Sequence, residues 1–240
     1  PGVLSPDDIE RALVVTAHPD DVDFGAAGTV ATLTDHGVRV TYCLVTDGQA
    51  GGFDDSIPRP RMASIRREEQ TEAAAHVGVD DLVFLGLMDG EVVHGLELRH
   101  AISRVIRQVR PQVVITQSPE LNLQRIYSSH PDHVATGQST VAAVYPDARN
   151  PYAFPELLTS GLEPWAAEEL WVMGHGSPSD HVDVTAQVDR KMAALRCHRS
   201  QHPDPDAMDG RVREWMRMTA SAAGLPEGSS AEAFLVIDTR

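Results

Sequence analysis

Two short runs of histidine and aspartate are the residues in this sequence best suited to chemistry. The first is His18-Pro19-Asp20-Asp21, and the second is His130-Pro131-Asp132-His133. Imidazole nitrogens and carboxylate oxygens are ligands that zinc accepts in proteins. Because Asp20 and Asp21 are adjacent, their side chains leave the backbone in different directions. One carboxylate can therefore bind a metal while the other faces the metal's open coordination position.

Each run also has a simpler interpretation when it is taken alone. Asp20 or Asp21 could cap a following helix, which is a common role for aspartate. His130 and His133 would lie on one side of a helix that begins at Pro131. Two histidines at that spacing are more often surface or core residues than ligands. The metal interpretation gains weight only if the fold brings both runs to the same place.

The apolar runs that precede the two motifs predict the elements that position them. Residues 12–17 form a continuous apolar stretch rich in valine, which is typical of a parallel strand covered on both faces. Further strands are predicted at 38–46, 82–85 and 113–116, with helices at 22–36, 62–77, 96–109 and about 131–144. Strand and helix thus alternate four times, which predicts an α/β fold with a doubly wound, mostly parallel, Rossmann-like sheet.

Both motifs are expected at the edge of this sheet where ligands bind. In doubly wound sheets that edge is formed by the carboxyl ends of the strands. The first motif follows the first strand directly, and the second follows the loop after the fourth strand. The sequence has neither a G-x-G-x-x-G fingerprint nor a Walker lysine, which argues against a nucleotide-binding protein.

The chain of 240 residues is predicted to form one domain over 1–240. Its core would span about 11–145, and about 146–240 would elaborate the same core. That second region is expected to contain strands near 170–173, 182–184 and 233–237 and helices at 188–200 and 211–223.

The composition of the chain limits the kinds of molecule that it is expected to bind. A net charge of −15 argues against a nucleic-acid partner, since phosphate binding needs a surplus of Lys and Arg. No apolar run approaches the ~20 residues that span a bilayer, and the first residues do not resemble a signal peptide. Cys43 and Cys197 have no metal-type spacing, and Cys43 is expected to be a buried small hydrophobe. We expect a cytoplasmic protein with no membrane insertion, and a homo-oligomer remains open.

As a pair, the two motifs resemble those of the PIG-L/LmbE-like zinc-dependent N-deacetylases. The likeness continues through weaker motifs that span most of the chain. These are Thr46-Asp47-Gly48-Gln49-Ala50-Gly51, Arg66 and Glu69 leading to Gly78, Asp89-Gly90, and His198-Arg199-Ser200-Gln201. One departure is Gln49, where many relatives carry Glu, and this puts in doubt a substrate contact by that side chain.

The resemblance implies a role for each residue of the two motifs. His18, Asp21 and His133 match the family's metal ligands, and Asp20 matches its general base. The implied metal is Zn²⁺, although a site of two histidines and one aspartate does not select strongly against Fe²⁺ or Co²⁺. His130 matches a histidine that stabilises the oxyanion or donates a proton.

Three further positions are implied with less support. Arg66 and Asp89 align with family positions that contact polar groups of the substrate. Tyr127 could reproduce a tyrosine that polarises the carbonyl in some members, but its spacing from His130 differs from theirs. Its role stays open.

The expected function is that of a zinc-dependent hydrolase. It would remove an N-acyl group, usually acetyl, from a small-molecule amino sugar such as an N-acetylglucosamine conjugate. Two alternatives are an amidase that cleaves a larger amide, such as a thiol conjugate, and a non-catalytic metal- or sugar-binding protein. The presence of Asp20 argues against a non-catalytic binding protein, because such a protein does not need a carboxylate beside the metal.

Overall fold

A seven-stranded sheet carries the fold of the computed structural model, which describes residues 3–124, 126 and 129–240. Along the chain the strands are β1 (Arg11–Thr16), β2 (Arg39–Thr46), β3 (Asp81–Leu87), β4 (Val113–Gln117), β5 (Glu169–Met173), β6 (Asp180–Asp183) and β7 (Ala231–Asp238). Their order across the sheet is β3-β2-β1-β4-β5-β7-β6. Strands β1 to β5 pair in parallel, and β7 is antiparallel to both β5 and β6. The predicted mostly parallel α/β sheet is confirmed.

Helices cover both faces of the sheet. They are α1 (Asp21–Gly25), α2 (Ala27–Asp35), α3 (Arg59–His76), α4 (Leu96–Val109), α5 (Pro131–Ala142), α6 (Pro155–Thr159), α7 (Val188–Cys197) and α8 (Pro205–Ala222). Strand β1 contributes to both cores because successive side chains point to opposite faces. Ala12 and Val14 belong to the core that includes residues of α2 and α3, and Leu13 and Val15 to the core that includes residues of α4. No helix within the described residues combines the length and apolarity needed to cross a membrane.

The first helix differs from its prediction. A continuous helix over 22–36 was wrong, because the helix breaks at Ala26, whose φ and ψ are −146° and 4°. Gly25 lies directly against the side chain of Met173, and Gly28 lies against Val184. The two short helices α1 and α2 therefore pack closely on the sheet at positions where a side chain would not fit.

The strand order places a switch point between β1 and β4. From β1 the chain adds β2 and β3 on one side, and it then crosses over to place β4 on the other side of β1. Ligands in open α/β sheets bind at such a crevice, outside the carboxyl ends of the strands. The first motif follows β1 and the second begins α5, the helix after β4. The two motifs thus meet, as expected, at this crevice.

Candidate metal and catalytic site

Three side chains of the two motifs converge on one point. His18 Nδ1 lies 3.2 Å from His133 Nε2. Asp21 Oδ2 lies 3.4 Å from the same His18 nitrogen, and Asp21 Oδ1 lies 3.0 Å from the same His133 nitrogen. Ligand atoms about 2.0–2.1 Å from a tetrahedral zinc lie roughly 3.3 Å from one another. The triangle formed by His18, Asp21 and His133 has this size.

The other ring nitrogen of His18 faces two more carboxylates. His18 Nε2 lies 3.0 Å from Asp89 Oδ1 and 3.1 Å from Asp132 Oδ2. Burial disfavours the charged imidazole, but hydrogen bonds to Asp132, Asp21 and Asp89 outweigh it and raise the pKa of His18 to about 12. A metal ligand histidine usually donates its second N–H to a carboxylate, which fixes the tautomer. This arrangement leaves Nδ1 as the candidate ligand atom.

Two further groups have donor atoms close enough to hold an ion. Among the described residues, His18, His130 and His133 form one group and His18, Asp89 and Asp132 the other, each with ligand atoms within 4.8 Å. In the second group the Asp132 side chain is wholly buried and already accepts two backbone N–H bonds. Asp21 and His133, in contrast, line a cavity. Catalysis needs an open coordination position, and this favours the triangle of His18, Asp21 and His133 over the group with Asp89 and Asp132.

Asp132 is a site residue to which the sequence assigned no role. Its carboxylate accepts hydrogen bonds from the backbone N–H groups of Gly90 (2.7 Å) and Val92 (3.2 Å). Burial raises the pKa of Asp132, but the hydrogen bond to His18 and these two backbone bonds outweigh it and hold the pKa below its ordinary value. Asp132 thereby ties the loop after β3 to the first motif. The sequence contained a signal for this role, because Asp132 lies in the second motif and histidines that bind a metal usually donate their second N–H to a carboxylate.

Asp20, which precedes Asp21 of the triangle in the chain, has an unusual backbone conformation. Its φ of 91° and ψ of −29° lie in the left-handed region, which non-glycine residues seldom adopt. The backbone N–H of Asp20 donates to Gln70 Oε1 at 2.8 Å. Arg66 Nη2 donates to the carbonyl of the preceding residue, Pro19. These contacts hold the turn in its strained conformation, which persists only where the surrounding structure stabilises it.

The carboxylate of Asp20 is paired with Arg66 at 3.2 Å. Burial raises the pKa of Asp20, the Arg66 charge opposes the rise, and the neighbouring Asp21 adds to it, so that the pKa reaches about 6. The pKa of Asp21 is instead held well below its ordinary value, because His133 and His18 outweigh its burial. The two adjacent carboxylates therefore differ strongly in proton affinity.

The Gln70 side chain that accepts the Asp20 N–H is itself held by buried polar residues. Gln70 Nε2 donates to Asp23 Oδ2 at 2.9 Å, and His198 Nε2 contacts the same oxygen at 2.8 Å. Gln70, Asp23 and His198 are all fully buried. Burial opposes the charged form of His198, but Asp23 raises its pKa. His198 is thus a structural residue beneath the site, and it does not line the cleft.

His130 caps the helix that carries His133. Its Nδ1 accepts the backbone N–H of Asp132 at 3.2 Å, and its ring centroid lies 5.0 Å from that of His18 and 5.4 Å from that of His133. Burial and the nearby His18 lower the pKa of His130. The ring is therefore neutral at pH 7, with Nδ1 as acceptor and Nε2–H as donor.

The remaining predicted residues lie around this centre. Arg66 is buried and its guanidinium donates to Gly48 O, to Pro19 O and to Asp20, so that the protein itself occupies these donors. Asp89 Oδ2 accepts the backbone N–H of Ala50 at 3.0 Å. Tyr127 lies outside the described residues. The substrate contacts assigned to Arg66 and Asp89 stay predictions.

A cavity of about 420 Å³ adjoins the triangle of His18, Asp21 and His133. Asp21 and His133 line it, together with Gln117 at the end of β4 and Met173 at the end of β5. It continues to α8, where Trp215 forms part of the wall. The centre thus has an open side next to two of its three candidate ligands.

Comparison with known proteins agrees with the motifs. A family model described as "PIG-L: GlcNAc-PI de-N-acetylase" matches residues 13–144. The chain is 34% identical to a diacetylchitobiose deacetylase of Thermococcus kodakarensis, over 82% of this chain and 72% of that protein. It is also 34% identical to a Bacillus cereus protein named "Probable N-acetyl-alpha-D-glucosaminyl L-malate deacetylase 2", over 87% of this chain and 94% of the other.

A solved structure shares the whole fold. The N,N'-diacetylchitobiose deacetylase of Pyrococcus horikoshii, determined with its inhibitor MPG, superimposes with a TM-score of 0.89. The two chains are 30% identical, and the match covers 97% of this chain and 85% of that one. The matched region therefore contains the C-terminal strands and helices as well as the two motifs.

Proposed function

The chain belongs to the PIG-L family, and from this premise we propose that it is a metal-dependent hydrolase that removes the acetyl group from an N-acetylglucosamine-containing substrate. The observation that carries the proposal is the convergence of His18, Asp21 and His133, with the carboxylate of Asp20 close enough to His18 and Asp21 for their charges to act on its pKa. The relatives named above act on substrates that share an N-acetylglucosamine unit.

The metal would be held by His18 Nδ1, Asp21 and His133 Nε2. The donor set of two imidazoles and one carboxylate suits zinc, and the separations of 3.0–3.4 Å suit its bond lengths. When bound, such a cation polarises an amide carbonyl and makes water more acidic. Zn²⁺ is our assignment, and Fe²⁺ or Co²⁺ would fit the same ligands.

Asp20 is proposed as the general base. Its pKa of about 6 keeps it largely ionised at neutral pH, yet close enough to neutrality to return a proton. Asp20 would take a proton from the attacking water as the water oxygen bonds to the carbonyl carbon. When the C–N bond breaks, the proton passes to the departing amine. The products are a carboxylic acid and an amino sugar, which at neutral pH become a carboxylate and an ammonium group.

His130 is proposed as the oxyanion donor. Because Nδ1 accepts the Asp132 N–H, the neutral ring presents Nε2–H as a hydrogen-bond donor. A fixed donor aimed at developing negative charge needs no net charge of its own to stabilise it. Asp20 is then the better candidate for proton delivery to the amine, since it already holds the proton taken from the water.

An amine-release assay tests the proposal. Metal-replete protein would be incubated with N-acetylglucosamine, an N-acetylated disaccharide and N-acetylglucosamine conjugates of malate and inositol. We expect amine release from at least one of them, loss of that activity in a chelator, and recovery on adding zinc. Activity that survives exhaustive chelation would contradict the metal-dependent mechanism. Bound metal without amine release from any member would favour a non-catalytic binding protein.

A further inference from the structure

The cavity next to the metal triangle lies on one particular side of the site. Its walls come from the carboxyl ends of β4 and β5, from β7 and from α8, through residues such as Gln117, Met173 and Ala233. Arg66 and Asp89 do not line it. They sit by the loops that follow β2 and β3. In the sheet, β2 and β3 lie on one side of β1, whereas β4, β5 and β7 lie on the other.

The two sides of the site differ in chemistry. On the side of β2 and β3 is the buried carboxylate of Asp89, whose oxygens each have one protein partner and keep a lone pair that can accept a sugar hydroxyl. The cavity wall combines apolar side chains, among them Phe24, Met173, Trp215, Met216 and Ala233, with polar ones such as Gln117, Asn122 and His181. Lys191 also lines the cavity, but its ammonium group is wholly buried and paired with Glu232. The cation is therefore neutralised within the wall.

An amide held at the metal must point its two halves in different directions. The carbonyl carbon bears the nitrogen and the acyl chain about 120° apart, as its sp² geometry requires. If the amino sugar extends toward the polar side, the acyl chain extends away from it. Given the proposed hydrolase function, on which this step rests, we infer that the cavity is an acyl subsite that admits chains longer than acetyl.

The size of the cavity supports a longer chain. One water molecule takes up about 30 Å³ in the liquid. The volume of about 420 Å³ is far larger than a single acetyl methyl group needs. Each methylene buried in apolar surroundings is worth about fourfold in affinity. Met173, whose unbranched side chain adapts easily to different shapes, forms part of this wall.

A panel of N-acylglucosamines tests this inference. Metal-loaded protein would be assayed with N-acetyl-, N-butanoyl- and N-hexanoylglucosamine, and kcat/KM compared. We expect N-hexanoylglucosamine to be cleaved at least as efficiently as N-acetylglucosamine. Thr219→Phe, at a half-buried lining position on α8, should lower kcat/KM for the hexanoyl substrate about tenfold or more and leave the acetyl substrate within about threefold. Ala222→Phe, at a second lining position, provides an independent variant.

A matched control lies on the same helix. Ser221 is exposed and is not part of the cavity wall, so Ser221→Phe should leave both substrates unchanged. Binding of the released acids gives a readout that does not need turnover. By calorimetry, hexanoate should bind the metal-loaded wild type more tightly than acetate does, and Thr219→Phe should remove that difference.

The outcomes separate this inference from the proposed function. Cleavage of the acetyl substrate with hexanoyl cleavage about tenfold slower would overturn the acyl subsite and leave the hydrolase standing. Loss of activity toward an N-acetylated disaccharide in Thr219→Phe, with the acyl panel unchanged, would also overturn it, because the cavity would then hold the second sugar. Failure of every amide substrate would count against the hydrolase, whereas hexanoate binding would still test the cavity.

Discussion

The side-chain oxygen of Gln70 accepts the backbone N–H of Asp20 at 2.8 Å, and so a residue in the middle of α3 fixes the conformation of the proposed base. Asp20 has a φ of 91°, which costs on the order of 1–3 kcal/mol for a residue with a side chain. The amide of Gln70 is itself held by Asp23, which contacts His198. This buried chain of hydrogen bonds offsets the strain and aims the carboxylate.

Replacing Gln70 by Leu should impair catalysis without removing the metal. The Asp20 N–H and the Asp23 carboxylate would each lose a buried partner, which costs about 1–3 kcal/mol of stability. A displaced base should lower kcat by about 10- to 100-fold with KM little changed. Steady-state kinetics, metal content and thermal unfolding would be measured beside Gln108→Leu, an exposed glutamine on α4. An unchanged kcat in Gln70→Leu would show that this contact does not position the base.

Mutants should distinguish the proposed roles of the adjacent aspartates, Asp20 as base and Asp21 as metal ligand. Asp21→Ala and His133→Ala each remove one of three proposed ligands and should lose metal. Asp20→Asn should keep the metal and lose the base, with kcat reduced by about 10²–10⁴. Elemental analysis and kinetics on the same preparations distinguish the two effects. If Asp20→Asn loses metal while Asp21→Ala keeps it, the two roles are exchanged.

The pH dependence of kcat/KM should report Asp20. The base must be ionised to act, so activity falls as pH drops through its pKa. The protein groups around Asp20 set that pKa at about 6, and a bound cation would favour the carboxylate, so the acidic limb should lie at or below about pH 6. Removing the Arg66 charge in Arg66→Met disfavours the carboxylate and should move the limb upward by about one pH unit or more.

Arg66→Lys is the matched control for that shift, because it keeps the positive charge near Asp20. The pH profile also separates two roles for Arg66. If it acts only as a substrate contact, as the family resemblance implies, Arg66→Met should raise KM and leave the acidic limb in place. Such a result would contradict the pairing of Arg66 with Asp20 as a determinant of the base's pKa.

Local sequence patterns were sufficient for the parallel part of the sheet. The helix predicted at 96–109 is α4, and the apolar run at 12–17 is β1 displaced by one residue. The meeting of the two motifs also followed from the strand order expected of such folds. The burial predicted for Cys43 is confirmed. These features depend on periodicity and on the handed, local connections of strand to helix, which a sequence displays directly.

The remainder depends on contacts between distant parts of the chain. The start of helix α8 is an exception: it begins at Pro205, six residues before the predicted start, and its signals are local, since Asp204 caps it and a proline stands at its first position. The antiparallel pairing of β7 with β5 and β6 joins segments that no local pattern connects. The hydrogen bond between Asp20 and Gln70 joins residues 50 positions apart in the sequence, and no local pattern predicts it either.

The final prediction separates two functions of His130. Its Nδ1 caps α5, and its Nε2–H is the proposed oxyanion donor. His130→Ala should lose both, with kcat lowered by about 10²–10³ for the missing donor and stability reduced by about 1 kcal/mol for the missing cap. His130→Asn restores a side-chain oxygen that can accept the Asp132 N–H, so it should recover most of the stability and little of the rate.

Both variants of His130 should retain metal, because this ring is not one of the proposed ligands. Metal content, thermal unfolding and kcat measured on the two proteins provide the comparison. Because the pKa of His130 lies below its ordinary value, the ring stays neutral above about pH 6.5, and its contribution should not vary with pH there. Equal recovery of rate and stability in His130→Asn would mean that His130 serves the helix alone. Another group would then have to stabilise the oxyanion.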